Sequence, residues 1–214
     1  ELGLERVVKL ASNEGPYGPF PAAQEAIERA ALELNRYPDG GAFRLRQALA
    51  ERHGVRFEEV TVCAGADAVI GFTVLATLDP GDEIVTGWPS FPSYVLDPLK
   101  VGAVPVRIPL RDDRYDLDAI LEAVTERTKV VFIAAPNNPT GTTTTRAELD
   151  DYFAGVPPHV LTVVDQAYFR RTMLVSAISN VRGASYPSEF AGVFSVAATE
   201  GTDVARWGLV LNLR

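Results

Sequence analysis

Two apolar runs, each ending in a polar motif, constrain this chain more than anything else in it. Val130-Val131-Phe132-Ile133 leads toward Asn137-Asn138-Pro139-Thr140-Gly141, and Val160-Leu161-Thr162-Val163-Val164 leads directly into Asp165-Gln166-Ala167-Tyr168. Short β-branched and apolar runs closed by turn residues are the pattern of strands buried on both faces. Such strands belong to parallel sheets, so both motifs should emerge at one sheet edge, where open α/β sheets bind ligands. Asp165 is the sharper signal. A carboxylate set straight after buried strand residues is desolvated, at a cost of several kcal/mol unless it is paired. A cationic nitrogen on a ligand would satisfy it; capping a helix N-terminus is the structural alternative.

The rest of the chain supports an α/β reading. Glu1 to Pro21 is rich in Gly and Pro and reads as an irregular arm, followed by an amphipathic helix over Ala22 to Leu34 with Pro21 in its first turn. Tyr37-Pro38-Asp39-Gly40-Gly41 forms a turn, and a second helix over Phe43 to His53 stops at Gly54. From Val60 onward short strands alternate with helices: strands at Val60–Cys63, Glu83–Thr86, Val104–Pro109, Lys129–Ala134 and Val160–Val164, and helices at Asp67–Leu78, Phe91–Leu99, Leu117–Val124 and Thr145–Phe153. Thr145 with Glu148 makes a capping box. The expected fold class is α/β, a mostly parallel sheet with helices on both faces. Beyond Tyr168 no clear period survives as far as Pro187, while Phe190–Ala198 and Trp207–Leu213 are candidate strands.

Charge and cysteine content narrow the partners. A net charge of −8 argues against nucleic acid or an anionic membrane surface. No apolar stretch approaches the roughly 18 residues of a membrane span, and the single cysteine, Cys63, forbids an intrachain disulfide and suits a reducing cytoplasm. His53 and His159 read as solvated or capping residues. No His, Cys and acidic residues share metal-ligand spacing, so no metal is expected. Glu1 in place of Met hints at a trimmed start, and the close on an apolar run suggests a missing C-terminal portion.

Two further segments fall at the same expected edge. Ala64-Gly65-Ala66-Asp67 lies between a strand and a helix, where backbone N–H groups at a helix N-terminus suit a phosphate. Trp88-Pro89-Ser90-Phe91-Pro92-Ser93-Tyr94 follows the next strand, placing Phe91 to cover a planar ring and Tyr94 to reach the same space. Both aromatics also fit simple packing under the loop.

Together these motifs resemble the fold-type I aminotransferases of class I and II, which use pyridoxal 5'-phosphate, and among them the histidinol-phosphate aminotransferases most. The likeness begins at Lys9-Leu10-Ala11-Ser12-Asn13-Glu14-Gly15-Pro16-Tyr17-Gly18-Pro19, with Gly15 where the family usually has Asn. It continues through Arg36-Tyr37-Pro38-Asp39 and the segments above to Tyr168, in family order. The resemblance implies that Asp165 pairs with the ring nitrogen, that Asn138 and Tyr168 bond the ring hydroxyl, and that Phe91 stacks on the ring. It implies a phosphate cradle at Ala64, Gly65, Ala66 and Asp67. Tyr37 would reach the cofactor of the neighbouring subunit in a homodimer, with Asn13 and Tyr17 near the substrate. The large domain would occupy residues 41–214, incomplete, with residues 1–40 as arm and first helix and the family's small C-terminal domain missing.

One departure bears on activity. The family's Schiff-base lysine lies beyond this aspartate in a Ser-Lys-x-x-Gly-x-x-Gly-x-Arg-x-Gly stretch, but the only lysines here are Lys9, Lys100 and Lys129. Matching Arg206-Trp207-Gly208 to Arg-x-Gly makes Arg206 the phosphate-binding arginine and puts Ala198 in the lysine's place. The expected function is transamination between a small-molecule amino donor, an amino acid or amino-alcohol phosphate, and a 2-oxo acid acceptor. This chain is expected to be impaired in it. The alternatives are a threonine-phosphate decarboxylase-like enzyme, or a non-catalytic relative or fragment that binds the cofactor.

Overall fold

A computed structural model describes residues 18–168 and the strand 175–179, besides positions 3 and 13. The chain divides into two compact units, Glu1–Gly41 and Ala42–Arg214. In the first, helix α1 spans Pro21–Ala31 with proline in its first turn and none of its residues buried. It ends at Ala31, short of Leu34.

The second unit opens with α2, Phe43–His53, which Gly54 terminates at φ 65°, its amide donating to the Ala50 carbonyl. That left-handed turn needs glycine. Arg46 clamps α2 onto the short 3₁₀ turn Phe57–Glu59: its guanidinium lies 4.0 Å over the Phe57 ring and donates to the carbonyls of Val60 (2.6 Å) and Phe57 (3.0 Å). His53 is not solvated. It is half-buried beside Arg52, its Nε2 has no hydrogen-bond partner among the described residues, and burial lowers its pKa to about 4. His159 is exposed, with Nε2 3.2 Å from the Thr125 carbonyl.

The elements that follow are α3 (Gly65–Thr77), β1 (Glu83–Trp88), α4 (Ser93–Lys100), β2 (Val104–Pro109), α5 (Leu117–Glu122), β3 (Thr128–Ala134), α6 (Arg146–Gly155), β4 (Leu161–Asp165) and β5 (Val175–Ser179). The strands form one sheet in the order β2-β1-β3-β4-β5. The first four are parallel, and β5 runs antiparallel on β4. An antiparallel edge strand on a parallel sheet is a common variant. The central strands are buried on both faces: Ile84, Val85, Val130, Val131, Phe132, Ile133 and Val163 make no contact with solvent. From β1 the chain crosses to β2 on one side, then returns past β1 to β3 on the other. Right-handed crossovers in opposite directions put α4 and α5 on opposite faces. The same reversal makes the carboxyl ends of β1 and β3 a switch point, where the two crossovers part and leave a crevice.

Four expectations change. Val60–Cys63 is not a strand: Val60 is extended, but only an isolated bridge forms at Thr61, since a strand needs a neighbour along its length. The segment after Tyr168 contains β5, whose five residues are too few to show a period in sequence. Helix α3 starts two residues before Asp67, so the Gly65–Asp67 stretch is its first turn rather than a preceding loop. Helix α4 starts at Ser93, leaving Phe91 in the loop.

Gly87, in β1, has a packing reason. A Cβ there would lie 2.8 Å from two ring carbons of Tyr115 and 3.0 Å from Leu110 Cδ2. Gly87→Ala should therefore destabilise the fold by about 1–3 kcal/mol, the usual cost of overpacking, read as a lowered denaturation midpoint; an unchanged midpoint would disprove the tight fit.

Candidate functional site

Asp165 is the last residue of β4, level with Ala134 at the end of β3, and its carbonyl accepts the Ala135 amide at 2.8 Å. Its side chain is only 5% exposed. Oδ1 accepts the Ala167 backbone N–H at 2.9 Å, and Oδ2 accepts the Tyr94 hydroxyl at 2.5 Å. Burial raises the carboxyl pKa above its ordinary value, while Tyr94 and the Ala167 amide pull it down. Among the described residues no cationic side chain offsets that burial. The helix-cap alternative does not apply, because no described helix starts at this residue.

Tyr94, on α4, is wholly buried. Its ring stacks on Phe132 of β3 (centroids 4.9 Å apart, planes 6° apart) and meets the Phe91 ring edge-on at 5.8 Å and 74°. Burial, and then the charge of Asp165, raise its hydroxyl pKa well above the ordinary phenol value. Phe91 itself is half-buried, in the loop after β1.

The amide of Asn138 donates to the Tyr168 hydroxyl at 3.4 Å, which brings together the two residues expected to share a ring hydroxyl. Asn138 is half-buried and Tyr168 is 45% exposed, so both face accessible space. Its neighbour Asn137 is buried and structural. It accepts from Ser90 Oγ (2.7 Å) and donates to the Pro89 carbonyl (3.2 Å) and to Thr140 Oγ1 (2.9 Å). These bonds tie the loop after β1 to the loop after β3. Ser90 also bonds the Tyr115 hydroxyl at 2.7 Å, extending the buried polar chain back to β1, where Tyr115 meets Thr86 Oγ1 at 3.3 Å.

At the third side stands the N-terminus of α3. Ala64 precedes it without any side-chain cap, Gly65 has φ +95°, and Ser93 Oγ at the start of α4 donates to the Asp67 carboxylate in the first turn. An uncapped helix N-terminus leaves backbone donors and the positive end of the helix dipole for an anion. Asn13 and Tyr37 belong to the unit Glu1–Gly41, Tyr37 with its ring exposed. Tyr17, Ala198 and Arg206 lie outside the described residues.

The carboxyl ends of β1, β3 and β4 thus gather a buried carboxylate, an amide–phenol pair, a half-buried aromatic ring and a helix N-terminus. Residues 5–183 match the family of class I and II aminotransferases. The chain belongs to that family.

Among class I and II aminotransferases, the chain is 49% identical over 171 residues to a histidinol-phosphate aminotransferase of Akkermansia muciniphila, covering 78% of this chain and 47% of that protein. It is 47% identical over 163 residues to an aromatic amino acid aminotransferase of Thermobifida fusca, covering 76% of this chain and 45% of that one. The fold matches the crystal structure of histidinol-phosphate aminotransferase from Sinorhizobium meliloti in complex with pyridoxal-5'-phosphate. That match has a TM-score of 0.70 at 30% identity and covers 73% of this chain and 43% of the other. The chain spans about half the length of the curated relatives it matches.

Two contributors to this candidate site carry no clear signal in sequence: Asn137 as the bond between loops, and the hydroxyl contact of Tyr94. Asn137 was hidden by standing next to Asn138 in a turn motif. Tyr94 follows Phe91 by three positions, helical spacing that puts two aromatics on one side, but nothing in sequence pairs it with a residue on β4. No group of His, Cys and acidic side chains suited to a metal occurs among the described residues. No described helix is long and apolar enough to cross a membrane.

Proposed function

We propose that this chain holds pyridoxal phosphate at the carboxyl ends of β1, β3 and β4, as the cofactor-binding part of an aminotransferase of the histidinol-phosphate or aromatic type. The observation that carries this reading is the buried carboxylate of Asp165, desolvated and without a cationic partner among the described residues. A pyridinium nitrogen supplies that partner, and the uncapped α3 N-terminus suits the phosphate, so the residues present fit the cofactor. When bound, pyridoxal phosphate supplies an electron sink for charge developing at the substrate α-carbon.

The chain's own residues divide the work. Asp165 holds a proton on the ring nitrogen by staying ionised beside it. Asn138 and Tyr168 fix the ring hydroxyl, Phe91 covers one ring face and excludes water from it, and Ala64, Gly65, Ala66 and Asp67 present the first turn of α3 to the phosphate. Arg206 is proposed to add a phosphate contact, and Tyr37 to do so across a homodimer; Asn13 and Tyr17 would approach the substrate. The substrates are an amino acid or amino-alcohol phosphate as donor and a 2-oxo acid as acceptor.

Proton transfer at the substrate α-carbon needs a positioned base. Lys100 ends α4, at the far end from Ser93, and pairs with Asp97; Lys129 is at the amino end of β3 and reaches the Glu126 carbonyl. Neither amine lies at the carboxyl edge of the sheet, and no lysine follows Asp165 in the 214 residues. We therefore expect saturable cofactor binding with very slow turnover. Titrating the purified chain with pyridoxal phosphate by visible absorbance, then adding borohydride and measuring intact mass, tests both parts. Saturation without a covalent adduct is the expected result. No saturable change would sink the cofactor reading, and rapid loss of the bound cofactor's aldehyde absorbance on adding an amino acid would sink the expectation of slow turnover.

A further inference from the structure

We infer that Tyr94 is a positioning residue for Asp165, its buried hydroxyl fixing the carboxylate that receives the cofactor's ring nitrogen. The inference rests on the cofactor reading above and adds a residue which that reading does not use.

The hydroxyl is what needs explaining. Tyr94 is wholly buried between Phe132 and Phe91, and a phenylalanine would make the same ring contacts. A buried hydroxyl without a partner is costly, so its presence implies a specific bond. The bond it makes is to Asp165 Oδ2 at 2.5 Å, across 71 positions of chain. The other oxygen is taken by the Ala167 amide at 2.9 Å. The carboxylate is thus held at two points, one from α4 and one from its own loop. An ionised carboxylate has about four acceptor sites, so two donors leave room for a ring N–H on either oxygen.

Position follows from this arrangement. The Ala167 amide belongs to the residues that follow β4, whereas Tyr94 is seated on the sheet through its stack on Phe132. Tyr94 therefore references the carboxylate to the core and not to the loop. It also donates to the charged form, which favours the ionised carboxylate against the pull of burial toward the neutral acid. Tyr115 and Tyr168 are the other ionisable side chains whose charges Tyr94 feels. Tyr115 spends its hydroxyl on Ser90 and Thr86, and Tyr168 meets Asn138, so neither replaces Tyr94 at the carboxylate.

The sign of the effect is fixed by that donation. Ionised Asp165 binds a protonated ring nitrogen, so affinity for the cofactor falls as pH drops through the carboxyl pKa. Removing the Tyr94 donor raises that pKa and moves the fall to higher pH. The test compares wild type, Tyr94→Phe, Asp165→Asn and the double variant of the full chain. Each is titrated with pyridoxal phosphate by absorbance between pH 5 and pH 9, and folding is checked by thermal melting without ligand.

Tyr94→Phe should bind about tenfold more weakly near pH 7, the equivalent of one pKa unit, with the acid limb of its profile displaced upward. In the Asp165→Asn background the same change should do nothing further, because Tyr94 acts through the carboxylate. Tyr94→His, which keeps a buried donor in a smaller ring, should recover part of the affinity, and it carries the test if Tyr94→Phe does not melt cooperatively. Wild-type binding with an identical profile for Tyr94→Phe would overturn the inference alone, as would an equal loss in the Asp165→Asn background. Absence of binding by wild type would instead remove the cofactor reading on which it stands.

Discussion

Asp165→Asn should leave the ligand-free chain at least as stable as wild type at pH 7, while weakening pyridoxal phosphate binding by about a hundredfold. The two effects have one origin. Burial is the largest influence on this carboxyl group and raises its pKa in the folded state. A carboxyl group raised in this way favours the folded state most below its unfolded pKa, where it is protonated in both states. That advantage disappears as pH rises through the folded pKa. Above the folded pKa the wild type therefore carries the full cost of a desolvated charge, and asparagine, nearly the same shape, does not. Loss of a charge-assisted bond to a ring nitrogen is worth about 1.5–3 kcal/mol, which is a factor of roughly ten to a hundred and fifty in affinity. Melting curves with and without ligand between pH 4 and pH 8 measure both. A ligand-free variant clearly less stable than wild type would show that the carboxylate serves the fold.

The second large effect concerns the neighbouring asparagines. Asn137→Ala removes three side-chain hydrogen bonds from a residue 2% exposed and leaves the buried Ser90 hydroxyl with the Tyr115 hydroxyl as its partner. At about 1 kcal/mol per bond, the expected loss is roughly 3 kcal/mol. For a chain of this size that lowers the melting temperature by roughly 6–12 °C. Asn138→Ala deletes a single 3.4 Å bond at a half-buried position and should cost under about 1 kcal/mol, yet weaken cofactor binding. Adjacent residues of one type would then separate into a scaffold residue and a ligand residue. If the two variants melted alike, the division of labour drawn from burial would be wrong.

What sequence makes legible here is the pattern that repeats. Strands buried on both faces read as apolar runs, so β3 and β4 are recognisable and the motifs behind them fall at the ligand edge. Gly54 as a helix stop and the Thr145–Glu148 capping box are local chemistry, and both are present in the structure. What depends on distant partners is not legible. Val60–Cys63 has strand composition, but composition does not supply the neighbour that a ladder requires. Val175–Ser179 has a neighbour in β4 but too short a pattern to announce it. The bond from Tyr94 to Asp165 and those of Asn137 join residues whose separation along the chain carries no sequence signal. His53 looked polar and therefore solvated, whereas the packing of α2 half-buries it.

The reversal of strand order between β1 and β3 has a kinetic consequence. It forces the site to be assembled from segments far apart in the chain: Ser90 meets Asn137 across 47 positions, and Tyr94 meets Asp165 across 71. Long-range closures of this kind are slow relative to helix formation. No fragment that ends before β4 contains the carboxylate of Asp165. Capture of the coloured cofactor during refolding would therefore mark completion of the sheet, and a chain that takes up the chromophore has already joined β1, β3 and β4.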